Sequence, residues 1–316
     1  MDLKFGDCIA QRVVFGKTLV ELGKEHRELV VLDPDVGPST QTHLFKAAYP
    51  DRFFEIGIAE QNMMGIAAGM STLGLIPFVS AFAVFATQRA GDQVRNSIAH
   101  TRANVKINGS YGGLPTGRAG ATHSAFEDTA AMRCLPGMTI FEPADTQETA
   151  ILTRLAIETE GPVYLRTVRC EVPTIFGNDH KVTVGKAVRM REGADITIIS
   201  SGMMTPKAKD AAETLEKQGI SVKHLHMPTI KPLDEAAICE AAETTKAILT
   251  VENHSVIGGL GSAVCEVTAA SRPVKVVRLG FKDIFLECGN DEELFSIYDM
   301  NTENIVKHAL LIAEGL

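Results

Sequence analysis

Glutamate, arginine, histidine and aromatic side chains fall into a few short stretches, and with no tryptophan and only four tyrosines any binding of small molecules must rest on polar and charged groups. In Gly57-Ile58-Ala59-Glu60-Gln61-Asn62-Met63 a strand ending in glycine delivers Glu60 onto the start of a helix. An acid in a first helical turn gains a few tenths to about 1 kcal/mol from the helix dipole, so position alone does not demand a function. The following Met63-Met64-Gly65-Ile66-Ala67-Ala68-Gly69-Met70 is small and apolar in every direction and reads as a buried helix. Burial disfavours the charged carboxylate, and such an acid can exchange a proton with a ligand nitrogen. Phe82 and Phe85 are three apart, which on a helix would turn both rings to one side, as a wall for a flat ligand or as core. The glycine-rich stretch from Asn108 to His123 is too long and irregular for core structure. It lacks the G-x-x-x-x-G-K-[ST] arrangement, and no G-x-G-x-x-G follows a strand elsewhere, which speaks against ATP and dinucleotide readings. The six cysteines are scattered without a C-x-x-C pair, so reduced, mostly buried thiols are expected and no residue is assigned to a metal.

These stretches need a scaffold, and its outline is legible. Short β-branched runs alternate with helical segments, the pattern of parallel α/β architecture. Strands are expected near 29–32, 53–58, 77–81, 104–107, 139–141 and 163–166, then near 195–200, 221–225, 247–251 and 274–279, with a final amphipathic helix near 303–313. Thr205-Pro206 reads as an N-cap followed by proline at the first helical position. The stretch from Val172 to His180 reads as a connection. At 316 residues the chain exceeds the usual reach of one core, so two three-layer α/β domains with mainly parallel sheets are expected, over 1–190 (linker included) and 191–316. The formal net charge of −8 opposes a nucleic-acid footprint. No run approaches the roughly 18 apolar residues of a membrane span, and residues 1–4 lack a signal-peptide core, so no membrane association and a cytoplasmic location are expected.

Gly57-Ile58-Ala59-Glu60-Gln61-Asn62-Met63 resembles the segment of transketolases and 1-deoxyxylulose-5-phosphate synthases that carries the cofactor-activating glutamate. The resemblance to the transketolase family extends along essentially the whole chain. It implies thiamine diphosphate as the cofactor and Glu60 as the acid at N1' of its aminopyrimidine. By the same resemblance Phe82 and Phe85 lie in the segment that stacks on the ring, and Val36 and Gln88 are further cofactor contacts. Gly120-Ala121-Thr122-His123 matches the end of the family's sugar-contacting loop, which implies that His123 is catalytic beside Glu60. Arg12, Ser39 and Arg169 stand where the family holds a substrate phosphate. Two positions depart from the pattern: Tyr111 replaces a usual histidine, and Arg118-Ala119 replace a Glu-Asp pair that contacts sugar hydroxyls. A guanidinium at Arg118 can hold a phosphate or sulfonate bidentately, which implies an unusual anionic sugar.

The chain corresponds to half of a full-length transketolase and contains no Gly-Asp-Gly segment of the kind that binds the metal and diphosphate. The resemblance therefore implies a split enzyme: a partner subunit, the N-terminal half, binds the diphosphate and Mg²⁺ or Ca²⁺, in an α2β2 assembly active only when complete. The implied reaction moves a two-carbon ketol unit from a ketose to an aldose. Three other readings stay open: the β subunit of a 2-oxo acid dehydrogenase first component, a 1-deoxyxylulose-5-phosphate synthase-like half, and a non-catalytic assembly subunit.

Overall fold

The computed structural model describes residues 3–114, 116 and 119–314. Its larger sheet has seven strands, ordered Thr229–Lys231, Thr139–Phe141, Val163–Arg166, Lys106–Ser110, Ile76–Phe82, Leu29–Asp33 and Phe53–Glu55. All neighbours pair in parallel except Thr229–Lys231, which adds antiparallel to Thr139–Phe141. Leu29–Asp33 and Lys106–Ser110 are buried along their full length, as strands covered on both faces must be. The smaller sheet has five strands, ordered Lys275–Phe281, Ala247–Ser255, Ile196–Ser200, Val222–His226 and Val188–Arg191, the last antiparallel. The two α/β units expected from the sequence are thus present, each with a mainly parallel sheet.

The units are interlocked rather than strung together. Val188–Arg191 spans the expected boundary at residue 190 and pairs in the smaller sheet, whereas Thr229–Lys231, from the second half of the chain, completes the larger one. One apolar cluster runs from Val30, Met63 and Ile140 through to Leu225, Ile230 and Val264. The stretch read as a simple connection is also pinned. Glu171–Pro173 forms an antiparallel ribbon with Cys8–Ala10, and Asp145 Oδ2 accepts from the backbone of Ile175 and Phe176 at 2.7 and 2.9 Å.

Several expectations are corrected. The strand at Phe53 stops at Glu55, because Gly57 takes a left-handed φ of 75° that turns the chain towards Glu60. The helix expected at Thr205 begins at Met204, and the Thr205 hydroxyl instead meets Ser200 Oγ and His226 Nδ1 at 3.0 and 2.8 Å. The Glu60–Ser71 helix buries only one face, through Met63, Met64, Ala67 and Ala68; Gly65 and Gly69 lie outward, away from the sheet. None of the cysteines is fully buried: all are free, and Cys8, Cys134 and Cys288 are exposed. Among the described residues no helix is long and apolar enough to cross a membrane.

Candidate active site

Open α/β sheets bind ligands beyond the carboxyl ends of their parallel strands. There Val36 follows Leu29–Asp33, Glu60 follows Phe53–Glu55, Phe82 ends Ile76–Phe82, Tyr111 follows Lys106–Ser110 and Arg169 follows Val163–Arg166. The strand order makes these ends neighbours although they are far apart in sequence.

Glu60 is the first residue of its helix and is 3% exposed. Its Oε2 accepts a hydrogen bond from Arg89 Nη1 at 2.9 Å, and the Arg89 guanidinium lies over the Phe85 ring, 4.3 Å from its centroid. Sequence reasoning left Arg89 without a role. The available signal was its i, i+4 spacing from Phe85, although Phe85–Arg89 is one π-helical turn, a wider winding often found at functional sites. Gln88 is exposed on the same turn.

Phe82 and Phe85 converge, but not as two residues of one helix: one ends a strand and the other opens the π turn, 6.1 Å apart between centroids. His123 meets both rings edge-on, at 6.0 and 5.3 Å, and its Nδ1 lies 2.9 Å from Thr122 Oγ1. Tyr111 packs tilted against Phe82, 4.4 Å between ring centroids, and the Arg169 guanidinium lies 5.9 Å from the Tyr111 ring. An unbroken line of contacts therefore leads from Glu60 through Arg89, Phe85, Phe82 and His123 to Tyr111 and Arg169. Its aromatic faces suit a flat heterocycle at one end, and its cation suits an anion at the other.

Arg12, Ser39 and Val36 form a second group. Arg12 Nη1 donates to the carbonyl of Ser39 at 3.2 Å, while its buried Nε has no hydrogen-bond partner among the described residues. Val36 N donates to Asp33 Oδ1 at 2.6 Å, and Thr40 and Thr42 donate to Asp33 Oδ2 at 2.9 and 2.7 Å. Burial nevertheless pushes the Asp33 carboxyl above its ordinary range. The ribbon that pairs Ala10 with Glu171 sends Arg12 and Arg169 out at its same end. Gln11 strengthens that junction by accepting from Val168 N at 2.9 Å. Arg118 lies outside the described residues.

Behind the site a buried ionic knot joins the two units. Arg166 donates to Asp128 from Nε (2.7 Å) and Nη2 (3.1 Å), to Glu142 from Nη1 (2.8 Å), and to the carbonyl of Asn253 (3.0 Å). Tyr164 adds its hydroxyl to Asp128 at 2.6 Å. Burial would raise the Asp128 carboxyl, but the Arg166 charge, its hydrogen bonds and the Tyr164 hydroxyl together outweigh burial and hold the group below its ordinary value. In the same region Glu252 accepts from the N–H groups of Leu260 and Gly261, yet burial pushes it up to about 8.

Comparison with known proteins places the fold in a family. Residues 7–174 match the family described as "Transketolase, pyrimidine binding domain" and residues 185–305 match "Transketolase, C-terminal domain". The chain is 40% identical to a subunit of the apulose-4-phosphate transketolase of Phocaeicola vulgatus, covering 96% of this chain and 97% of that one. It is 38% identical to the 6-deoxy-6-sulfo-D-fructose transketolase subunit SqwH of Clostridium sp., covering 94% and 92%. Among solved structures, "Split gene transketolase, inactive beta4 tetramer" superposes with a TM-score of 0.89 at 45% identity, covering 97% of this chain and 98% of the other.

Proposed function

The chain belongs to the transketolase family, and from that premise we propose that it is the pyrimidine-binding subunit of a two-component transketolase acting on an anionic sugar. Family membership implies thiamine-diphosphate-dependent chemistry, and this chain's own contacts fit that group. The Arg89 guanidinium, a flat nitrogen donor, stacks on Phe85 and bonds Glu60 at the same time, the two contacts an aminopyrimidine requires. That double contact is the observation carrying the reading. Glu60, Phe82 and Phe85 are the residues that would hold the pyrimidine, with Val36 and Gln88 at its margins. When bound, the cofactor supplies the electron sink needed to break and remake a carbon–carbon bond.

The chain's part is then positioning and proton handling. Glu60 exchanges a proton with the pyrimidine ring nitrogen from a water-poor helix start. His123, held between two aromatic edges and Thr122, faces the sugar hydroxyls. Arg169 and Arg12 hold the anionic end of the sugar, assisted by Ser39, Tyr111 and Arg118. The relatives named for apulose-4-phosphate and for 6-deoxy-6-sulfo-D-fructose both carry names of anionic sugars, which supports the charge but not the choice between phosphate and sulfonate.

The split-gene relative is inactive as a β4 tetramer, which supports dependence on a partner. In our reading that partner contributes the diphosphate and its Mg²⁺ or Ca²⁺, in an α2β2 assembly located in the cytoplasm. The direct test is to mix the co-purified complex with ketose phosphate or sulfonate donors and an aldose acceptor, and to follow two-carbon transfer. Transfer that depends on both subunits supports the reading. Release of carbon dioxide from a 2-oxo acid, with no ketol transfer, refutes it.

A further inference from the structure

Tyr111 has a left-handed φ of 64°, and so does Gly113 two residues on. For a residue with a side chain this backbone costs about 1–2 kcal/mol and persists only where neighbours over-determine it. The neighbours that do so come from both units, and the side chain among them comes from the second. Asn253, on the Ala247–Ser255 strand, is buried and devotes its side-chain amide to this loop. Its Oδ1 accepts from Leu114 N at 2.9 Å, and its Nδ2 donates to the carbonyls of Leu114 and Gly112 at 2.6 and 3.3 Å. Gly113 packs so closely that a Cβ there would come within 2.3 Å of the Asn253 carbonyl oxygen. That carbonyl is itself fixed by Arg166, and the loop's other attachments are Gly112 N to Thr167 O (3.0 Å) and Gly113 N to Ala125 O (2.5 Å).

We propose that Asn253 is a positioning residue for sugar recognition. It clamps the loop from Tyr111 to Leu114 onto a rigid strand of the C-terminal unit, and so fixes the Tyr111 ring against Phe82 and beneath Arg169. The C-terminal unit thereby sets the anion-binding end of the site without touching the substrate. This rests on Tyr111 and Arg169 facing the sugar. Asn253→Asp keeps the acceptor for Leu114 N but loses the donor to two carbonyls.

The test has two arms. In the full chain labelled with 3-fluorotyrosine, four tyrosines give four ¹⁹F resonances, that of Tyr111 being assigned by Tyr111→Phe. Asn253→Asp shifts or broadens the Tyr111 line and leaves those of Tyr49 and Tyr298 in place. In the assembled complex it raises KM for the ketose donor about tenfold while kcat changes by less than about threefold, and it adds nothing in a Tyr111→Leu background. Should Asn253→Asp not fold, Gly113→Ala pushes the loop off the amide from the other side and carries the same test. An unmoved Tyr111 line, a fall in kcat with KM unchanged, or an effect additive with Tyr111→Leu overturns the proposal. If the complex transfers no ketol unit from any donor, the functional reading has failed, and the resonance arm still decides whether Asn253 positions Tyr111.

Discussion

Glu60 and Asp128 are both buried carboxylates bonded to an arginine, and they are built for opposite ends. Asp128 is gripped twice by Arg166 and once by Tyr164, and both members of the ion pair are fully buried. Glu60 is held by one hydrogen bond to an arginine whose side chain is 44% exposed. Pairs with one solvated member are worth about 0–1 kcal/mol, so Arg89 can yield its place to another nitrogen donor. Removing one partner of a fully buried pair leaves an uncompensated charge at about 3–5 kcal/mol. One carboxylate is free to change partners and the other is not, which separates the site from its support.

Mutation should widen that contrast. The largest effect belongs to Glu60→Ala in the assembled complex. Turnover should fall about 10²- to 10⁴-fold, the usual worth of a positioned proton donor or acceptor, while the melting temperature barely moves. Arg166→Met should do the reverse. Urea unfolding should show a loss of about 3–5 kcal/mol, while kcat of the folded fraction changes little and any further effect falls on KM through Asn253. A comparable loss of stability in Glu60→Ala would erase the distinction.

Glu252 sharpens the support side through pH. Its folded-state value, about 8, lies above the ordinary 4.5, so the folded protein favours the neutral acid. The stability it contributes is complete below about 4.5 and is lost as pH rises through about 8. Melts from pH 5 to 9 should show this decline in the natural chain and a flatter profile in Glu252→Gln. The smallest effect is expected on the site side. Arg89→Ala removes a competitor worth about 0–1 kcal/mol, so the complex should bind thiamine diphosphate up to about fivefold more tightly by calorimetry. Weaker binding would make Arg89 a cofactor ligand instead.

The site was more legible in the sequence than its support. Runs such as Leu29–Asp33 and Val163–Arg166 announce buried parallel strands, and the stretch from Gly57 to Met63 marks the turn that carries Glu60. Thr229–Lys231 and Val188–Arg191 escaped notice because an edge strand needs no apolar run, and their places are set by tertiary pairing. Arg89 and Asn253 escaped for a related reason: each acts on a partner distant in sequence, Glu60 for one and the loop at Gly112 for the other. Thr205 has the residue type of a helix cap, but its hydroxyl serves His226. Local propensity identifies what a residue can do, and packing decides which of those options it takes.

A pyrimidine site centred on Glu60 and completed by a second subunit is tested most directly by calorimetry. Thiamine diphosphate with Mg²⁺ is titrated into this chain alone and into the chain co-purified with its partner. Tight binding in the complex alone, lost in Glu60→Ala, is the predicted result. Equally tight binding by the isolated chain would contradict it, because the diphosphate site would then lie within this chain.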